Sequence, residues 1–364
     1  MNNINQNDTL RKKAVTFAAI DSYVETHMIA PTEKAVSNGD RYRWGDRDLY
    51  PGYLLELYDN CATLRSIIDG SVDYIVGDDV LFEGQRDRVL NKWGETAVDI
   101  TRQLSRNLKT FGGFAMEIIR AIDGSIAEIY NIDLQNLRTN KDNTVFWYSE
   151  KWGKSNPEAE EIPAFMPEAF SVVRSILFVK MDQMRVYPSP PFAAAVKACE
   201  IERCIDDFHL NNLENGFTGS VLVNIVGEPE DAEKEVVEKD FNEKFGGHQN
   251  AGRMAFSWNA DKDSATTIDT LKVEDFGDRY DALAKRSRQA IFTAFRANPN
   301  LFGIPTDSLG FSSEEYESAF KLFNRTQVKP AQRMIADAFR RIYGAPVLQI
   351  IPFTLDGQDD QAVS

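Results

Sequence analysis

Histidine and cysteine, the side chains most often recruited as metal ligands, bases and nucleophiles, are scarce. His27, His209 and His248 stand far apart, and Cys61, Cys199 and Cys204 are scattered. This spacing excludes an HExxH zinc site, a zinc knuckle and a disulfide framework, and leaves reduced, buried thiols as the expected state. A Gly-x-Ser-x-Gly elbow, which would expose a nucleophilic serine, is absent as well. Positive charge is in deficit: 41 Lys plus Arg face 56 Asp plus Glu, a formal charge of −15. A surface of that sign repels phosphate backbones, which excludes an open, high-affinity DNA binder. Long apolar runs are missing too, since even 346–355 is interrupted by Gln349 and Pro352, well short of the ~18–20 residues a membrane span needs. The opening Met1–Asp8 is polar, and the apolar stretch after Arg11-Lys12-Lys13 is cut at Asp21. That makes a poor signal peptide, so a protein made and working in a cytoplasm, with no membrane contact and no cofactor, is expected.

What is present is ordinary globular composition: 364 residues, 43% apolar, 11% aromatic and 27% charged, enough for two or three domains with a sizeable core. Residues 1–48 read as a polar arm with a short helix near Leu10–Val24. From Tyr53, Leu54, Leu57, Cys61, Leu64 and Ile68 recur every three or four positions and predict one amphipathic helix, followed by a turn at Gly77-Asp78-Asp79. Leu90, Trp93, Ala97, Ile100, Leu104 and Leu108 predict a second helix, stopped by Gly112-Gly113. The period then changes. Phe114–Ala121 and Ile126–Ile132 around Asp123-Gly124 read as a hairpin, and Thr144–Trp152 and Val172–Met181 as strands on either side of an acidic loop at Asn156–Pro167.

Pro188-Ser189-Pro190-Pro191 announces a long helix with Ile201, Cys204, Ile205, Phe208 and Asn212 on one face, ending at Asn215-Gly216. Residues 217–260 form a small insert: a strand Ser220–Val226, an acidic helix Asp231–Phe245, a loop 246–252 and a strand Arg253–Trp258. A second long helix, 274–296, carries Leu283, Ser287, Ala290, Ile291, Ala294 and Phe295 on one side and Arg279, Lys285, Arg286 and Arg288 around the other. A Pro/Gly loop, 297–312, precedes a last helix that starts at Ser312 or Ser313. Pro330 predicts a kink between Arg325 and Lys329, because it removes a backbone donor and crowds the preceding turn. Gly344 closes that helix, and Val347–Thr354 reads as a returning strand.

Chemistry-bearing motifs are few. Gly247-His248-Gln249-Asn250-Ala251-Gly252 has the glycine spacing of a phosphate loop, but Arg253-Met254 stands where Lys-Ser/Thr would be needed and a helix precedes it. The acid pairs Asp78-Asp79, Asp206-Asp207 and Asp359-Asp360 point to different sides of any helix or strand, so solvated surface explains them better than metal binding. The basic residues of 279–288 suit either weak contacts with nucleic acid or a solvated face paired with nearby acids.

The order of elements resembles the portal proteins of tailed bacteriophages: an α+β unit, a long helix, a small α/β tip, a second long helix, a loop, then a kinked helix. Trp44-Gly45-Asp46-Arg47-Asp48-Leu49-Tyr50-Pro51, Tyr74-Ile75-Val76-Gly77, Asn215-Gly216-Phe217-Thr218-Gly219-Ser220, Asn250-Ala251-Gly252-Arg253, Phe302-Gly303-Ile304-Pro305 and Lys329-Pro330-Ala331-Gln332 are similar to successive segments of that family. The resemblance covers about residues 40 to 353. It implies an α+β portal fold divided into an N-terminal arm (1–30), wing (31–190), first stem helix (191–216) and clip (217–268). A second stem helix (269–296), tunnel loop (297–312), kinked wing helix with returning strand (313–353) and acidic tail (354–364) complete it. After Pro352 the remaining residues leave no room for the helical crown many relatives carry, so a crown that is absent or vestigial is expected.

By the same resemblance the protein is no enzyme. It forms a ring of about twelve at one capsid vertex of the virion, assembled in the bacterial host cytoplasm, through which double-stranded DNA passes without sequence specificity. The implied partners are further copies of the chain, the major capsid protein, the terminase large subunit, and neck, adaptor and tail proteins. Asn298, Asn300, Leu301, Phe302, Thr306 and Asp307 are the implied DNA-facing tunnel-loop positions, and Arg279, Lys285, Arg286 and Arg288 the basic residues of the channel. Glu228, Glu230, Asp231, Glu233, His248 and Asn250 are the implied docking positions of the clip. The rival expectations are another ring or adaptor protein of the virion and a metal-dependent nuclease using scattered Asp and Glu.

Overall fold

The computed structural model describes residues 29, 31–36, 41–154, 157–214, 221–226, 254–259, 276–304 and 313–354. The expected helices at 10–24 and 231–245, the loop 246–252 and the tail after 354 lie outside the described residues. The chain divides into two units, residues 1–194 with 292–364, and residues 195–291.

The first unit opens with β1 (Glu33–Ala35) and β2 (Tyr42–Trp44), an antiparallel pair. Trp44 and Asp48 are buried, so the arm expected over 1–48 does not extend to the residues around Trp44. The helix expected from Tyr53 to Ile68 is two helices, α1 (Tyr50–Asn60) and α2 (Ala62–Val76). Cys61 between them is extended and fully buried. Its N–H closes α1 on the Leu57 carbonyl and its own carbonyl receives Arg65 N–H at the start of α2, so the apolar stripe runs on across the break. A short strand the sequence did not announce, β3 (Asp79–Phe82), succeeds the turn at Gly77.

The next helix, α3 (Ala97–Phe111), starts later than the stripe from Leu90 suggests, because Thr96 and Asp99 form a reciprocal capping box that fixes the first turn. Leu90 is buried ahead of it while Trp93 is largely exposed. Gly112 ends α3 at φ 83°. A Cβ there would lie 1.9 Å from the Ser189 carbonyl oxygen, so conformation and space both demand glycine. The hairpin β4 (Gly113–Arg120) and β5 (Ile126–Ile132) is as expected. A second sheet holds β6 (Leu137–Thr139), β7 (Val145–Tyr148) and β8 (Glu160–Pro163). β8 falls in the stretch that reads as an acidic loop; only Ile162 of its four residues turns inward, too little apolar content to announce a strand. With β9 (Arg174–Lys180) the sheet orders are β5-β4-β9 and β6-β7-β8, all antiparallel.

The second unit contains α4 (Val196–Glu214), β10 (Val221–Val226), β11 (Met254–Asn259) and most of α5 (Phe276–Phe295). α4 begins after a 3-10 turn at Ala193–Ala195 rather than at the prolines. Among its described side chains Val196, Ala198, Cys199, Glu200 and Ile205 are buried, whereas Phe208, expected inside, is exposed. Glu200 is held by Arg203 at 2.9 Å. β10 and β11 pair in parallel, Val221 against Met254, a geometry that requires a crossover between them.

The chain then returns to the first unit with α6 (Ser313–Phe323), a π-helical turn at Asn324–Val328, α7 (Lys329–Tyr343) and β12 (Leu348–Ile351). The expected break between Arg325 and Lys329 takes this π form, and Pro330 sits in the first turn of α7, where its missing N–H leaves no gap. β12 pairs antiparallel with β3. One core joins α2, α3, the β4 sheet, α6 and α7 through Ile75, Ile100, Leu104, Ile118, Phe323, Ile335 and Phe339, all buried.

Candidate functional site

The segment leaving α5 is a built base for the loop beyond it. Asn298 accepts the Asn300 N–H at 3.1 Å and so caps a 3-10 turn, Pro299–Phe302, which Gly303 closes. The Tyr74 hydroxyl donates to the Leu301 carbonyl at 2.9 Å. Burial, and after it a hydrogen bond with Tyr316, pushes that phenol well above its ordinary range. Phe302 packs edge-on against Tyr74 and Phe323, with ring centroids 6.1 and 5.5 Å apart, and against Phe292 at 6.1 Å. Its ring fills the space beside Gly70, where a Cβ would stand 2.7 Å from Cδ1.

Leu301 is buried and Phe302, half-buried, packs against the chain's own core. Both belong to the six positions that the resemblance implies face DNA. Asn298 and Asn300 are half-buried, with the Asn298 side chain used as a cap. Thr306 and Asp307 lie outside the described residues, as do the six clip positions Glu228, Glu230, Asp231, Glu233, His248 and Asn250.

On α5, Ser287, Ile291 and Phe295 face inward while Lys285, Arg286 and Arg288 are exposed. At Arg279 only the backbone is described. Leu283 and Ala290, expected on the buried side, are on the exposed one. The three cations therefore lie on the exposed side of one helix.

Sequence reasoning missed the clasp around Arg138. Two non-glycine residues with positive φ, Arg47 (50°) and Asp48 (65°), turn the Asp48 carboxylate inward. It receives Arg138 Nε at 3.0 Å and Arg41 Nη1 at 2.8 Å, and it caps the Trp44 N–H at 2.9 Å. The Arg138 guanidinium also donates to three backbone carbonyls, those of Asp48, Gln135 and Leu137, and lies over the Trp152 ring at 4.9 Å. Trp44 stacks on Tyr187 at 4.6 Å, and the Tyr187 hydroxyl receives the Thr139 N–H and donates to the Tyr42 carbonyl. Only Trp44-Gly45-Asp46-Arg47-Asp48 stood out in the sequence; Arg138 is 90 positions away, and nothing local marks it.

Lys109 on α3 is buried with no hydrogen bond or ion pair among the described residues, and burial lowers its ammonium to about 8. An open cavity of about 540 Å³ is lined by Trp93, Arg106, Asn107, Glu117, Tyr130 and Arg174 among others. Several of its polar groups are engaged, Arg174 with Glu117 and Glu160, and Asn107 with Asn131. Among the described residues no three His, Cys, Asp or Glu side chains gather as metal ligands, and no helix is long and apolar enough to cross a membrane.

No protein-family model and no curated protein matches this chain. Solved structures do share its fold. One is a chain in the neck of an empty GTA (gene transfer agent) particle, with TM-score 0.52, 14% identity and 85% of each chain covered. Another is in the neck of the native GTA particle solved with C12 symmetry, with TM-score 0.50, 15% identity, 90% of this chain and 87% of that one. An HK97 family phage portal protein from Corynebacterium diphtheriae also aligns, at TM-score 0.47 and 10% identity over 82% of this chain and 94% of that one. At these identities the likeness is one of fold, and at 0.47 the last carries no further argument. Mixed α/β architecture with small sheets, implied by the resemblance in sequence, is the architecture found.

Proposed function

We propose that this chain is the portal subunit of a phage or phage-like particle, forming a ring of about twelve copies at one capsid vertex. The ring is the conduit for packaging and ejecting DNA, and the dock for a terminase and then for neck and tail proteins. The observation that carries this reading is the fold shared with chains of GTA particles over 84 to 90% of this chain, added to the order of segments in the sequence. In this reading the first unit is the wing, α4 and α5 are the stem, and β10 and β11 belong to the clip. The anchored turn Pro299–Phe302 is then the fixed base of the tunnel loop.

The charge has a mechanical sense here. Twelve copies at −15 each would carry about −180, and repulsion of the phosphates favours sliding, since few phosphate contacts release few counterions. Exposed Lys285, Arg286 and Arg288 supply weak, staggered contacts. The role is structural rather than catalytic.

The test is the mass of the purified protein by native mass spectrometry, with negative-stain images of the same sample. Twelve copies of the 41.2 kDa chain, about 494 kDa with an open centre, are expected. A monomer that cleaves DNA in magnesium would overturn the reading. Reversal of Arg286 and Arg288 to Glu is expected to slow packaging while leaving the ring intact; unchanged packaging would remove the basic face from the mechanism.

A further inference from the structure

The β4–β5 hairpin tip and the segment 164–173 form one apolar prow, built around a buried cation. Arg120 is 6% exposed and has no carboxylate partner among the described residues. Its guanidinium donates to the Gly124 carbonyl at 2.7 Å and the Pro167 carbonyl at 3.1 Å, with Met166 O at 3.5 Å. It lies over the rings of Phe165 and Phe170 at 5.2 and 5.3 Å. The Arg120 N–H is bound to the Val173 carbonyl at 2.8 Å, and Gly124 lies against Phe170. Both segments are thus tied to one side chain, which fixes the backbone of each before any partner arrives.

What they display is apolar. Ile122 is fully exposed, and Phe170, Val173 and Met166 are 64, 61 and 55% exposed. Four large apolar side chains, each more than half exposed and drawn from two short segments tied together, are more than the singly scattered exposures that need no explanation in a monomer. A stable interface needs about 800 Å² per partner, so this patch could supply the apolar centre of one. Charge points the same way. Copies at −15 each repel one another, and contact between them is favoured where charge is thin. Residues 119–126 and 163–173 contain only Arg120, Asp123 and Glu168 as charged residues.

We infer that this prow, Ile122 with Met166, Phe170 and Val173, is a contact between neighbouring copies of this chain, docking on a different surface of the next copy. The inference rests on the ring reading above and names the surface that holds the ring together. A ring contact is heterologous, so one copy's prow meets a patch other than its own counterpart.

The experiment compares the full-length chain with Ile122→Asp and with the double variant Ile122→Ser, Phe170→Ser, by native mass spectrometry and light scattering up to about 100 µM. Circular dichroism and the thermal midpoint serve as controls for folding. Ile122 makes no contact a fold would miss, so Ile122→Asp stays folded. The wild-type chain is expected at ring mass and both variants at 41.2 kDa. A photo-crosslinking residue placed at position 122 is expected to join two copies, with mass spectrometry reading the site on the second. Folded variants that still form rings would overturn the inference and leave the ring reading standing. A wild-type chain that stays monomeric, or a crosslink to a different protein only, would overturn the inference; a monomer that also cleaves DNA in magnesium would remove the ring reading with it.

Discussion

Gly70→Ala is a sensitive probe of how the turn before the loop is held. Gly70 lies inside α2, where replacing glycine by alanine on its own favours the helix by about 0.5–1 kcal/mol. The new methyl group, however, would stand 2.7 Å from Cδ1 and 3.0 Å from Cε1 of Phe302, closer than such atoms approach. Phe302 is confined by Tyr74, Phe292 and Phe323, so the ring must leave its place, and overpacking of this kind costs about 1–3 kcal/mol. The net expectation is a loss of about 0.5–2 kcal/mol. In a Phe302→Ala background the obstacle is gone, and the same Gly70→Ala change is expected to stabilise by up to about 1 kcal/mol. The sign reversal is the signature, measured as urea midpoints with unchanged slopes across the four members of the cycle. If Gly70→Ala stabilises the wild-type chain as much as it stabilises Phe302→Ala, Phe302 is not seated on α2, and the loop base is not anchored there.

Arg138→Met leaves the Asp48 carboxylate with Arg41 and the Trp44 N–H and deprives three backbone carbonyls of their donor; a loss of about 2–3 kcal/mol is expected, read from denaturation midpoints. Gly112→Ala places a methyl group 1.9 Å from the Ser189 carbonyl oxygen at φ 83°; soluble, cooperatively folding protein is not expected, and a normal melting transition would contradict the packing described. Lys109, lowered by burial from its ordinary 10.5 to about 8, binds fewer protons folded than unfolded between those values. Stability is therefore expected to rise from about pH 8 to pH 10, with a penalty of roughly 3 kcal/mol below that window. Lys109→Met should be more stable than wild type at pH 7 and should lose that rise, which denaturation at several pH values checks.

The sequence was legible wherever a local pattern carried the information. The β4–β5 hairpin followed from Asp123-Gly124 between apolar runs, the end of α3 from Gly112, and the break before α7 from Pro330. Where it misled, a non-local term had intervened. The stripe from Tyr53 to Ile68 keeps its spacing through Cys61, so periodicity could not show that the backbone breaks there. β8 has one inward residue, and pairing with β7 rather than hydrophobicity makes it a strand. Phe302, an apolar residue in a Pro/Gly loop, is received by the ring of Phe323 and the bare surface of Gly70, partners that no local pattern names.

Residue order was enough to establish the class of the chain: an acidic, α+β, multi-domain protein without the usual catalytic or metal-binding motifs, with two long helices around a small insert. Composition, period and turn chemistry are local properties, and they suffice for that. Packing in three dimensions was needed to set which charges are interior. Asp48 and Arg138 meet across 90 positions, and Arg120 is neutralised by carbonyls and rings rather than by an acid. Packing also brought four apolar residues from two separate segments onto one exposed prow. Each of these depends on where distant segments come to rest in space, a quantity that no window of sequence contains.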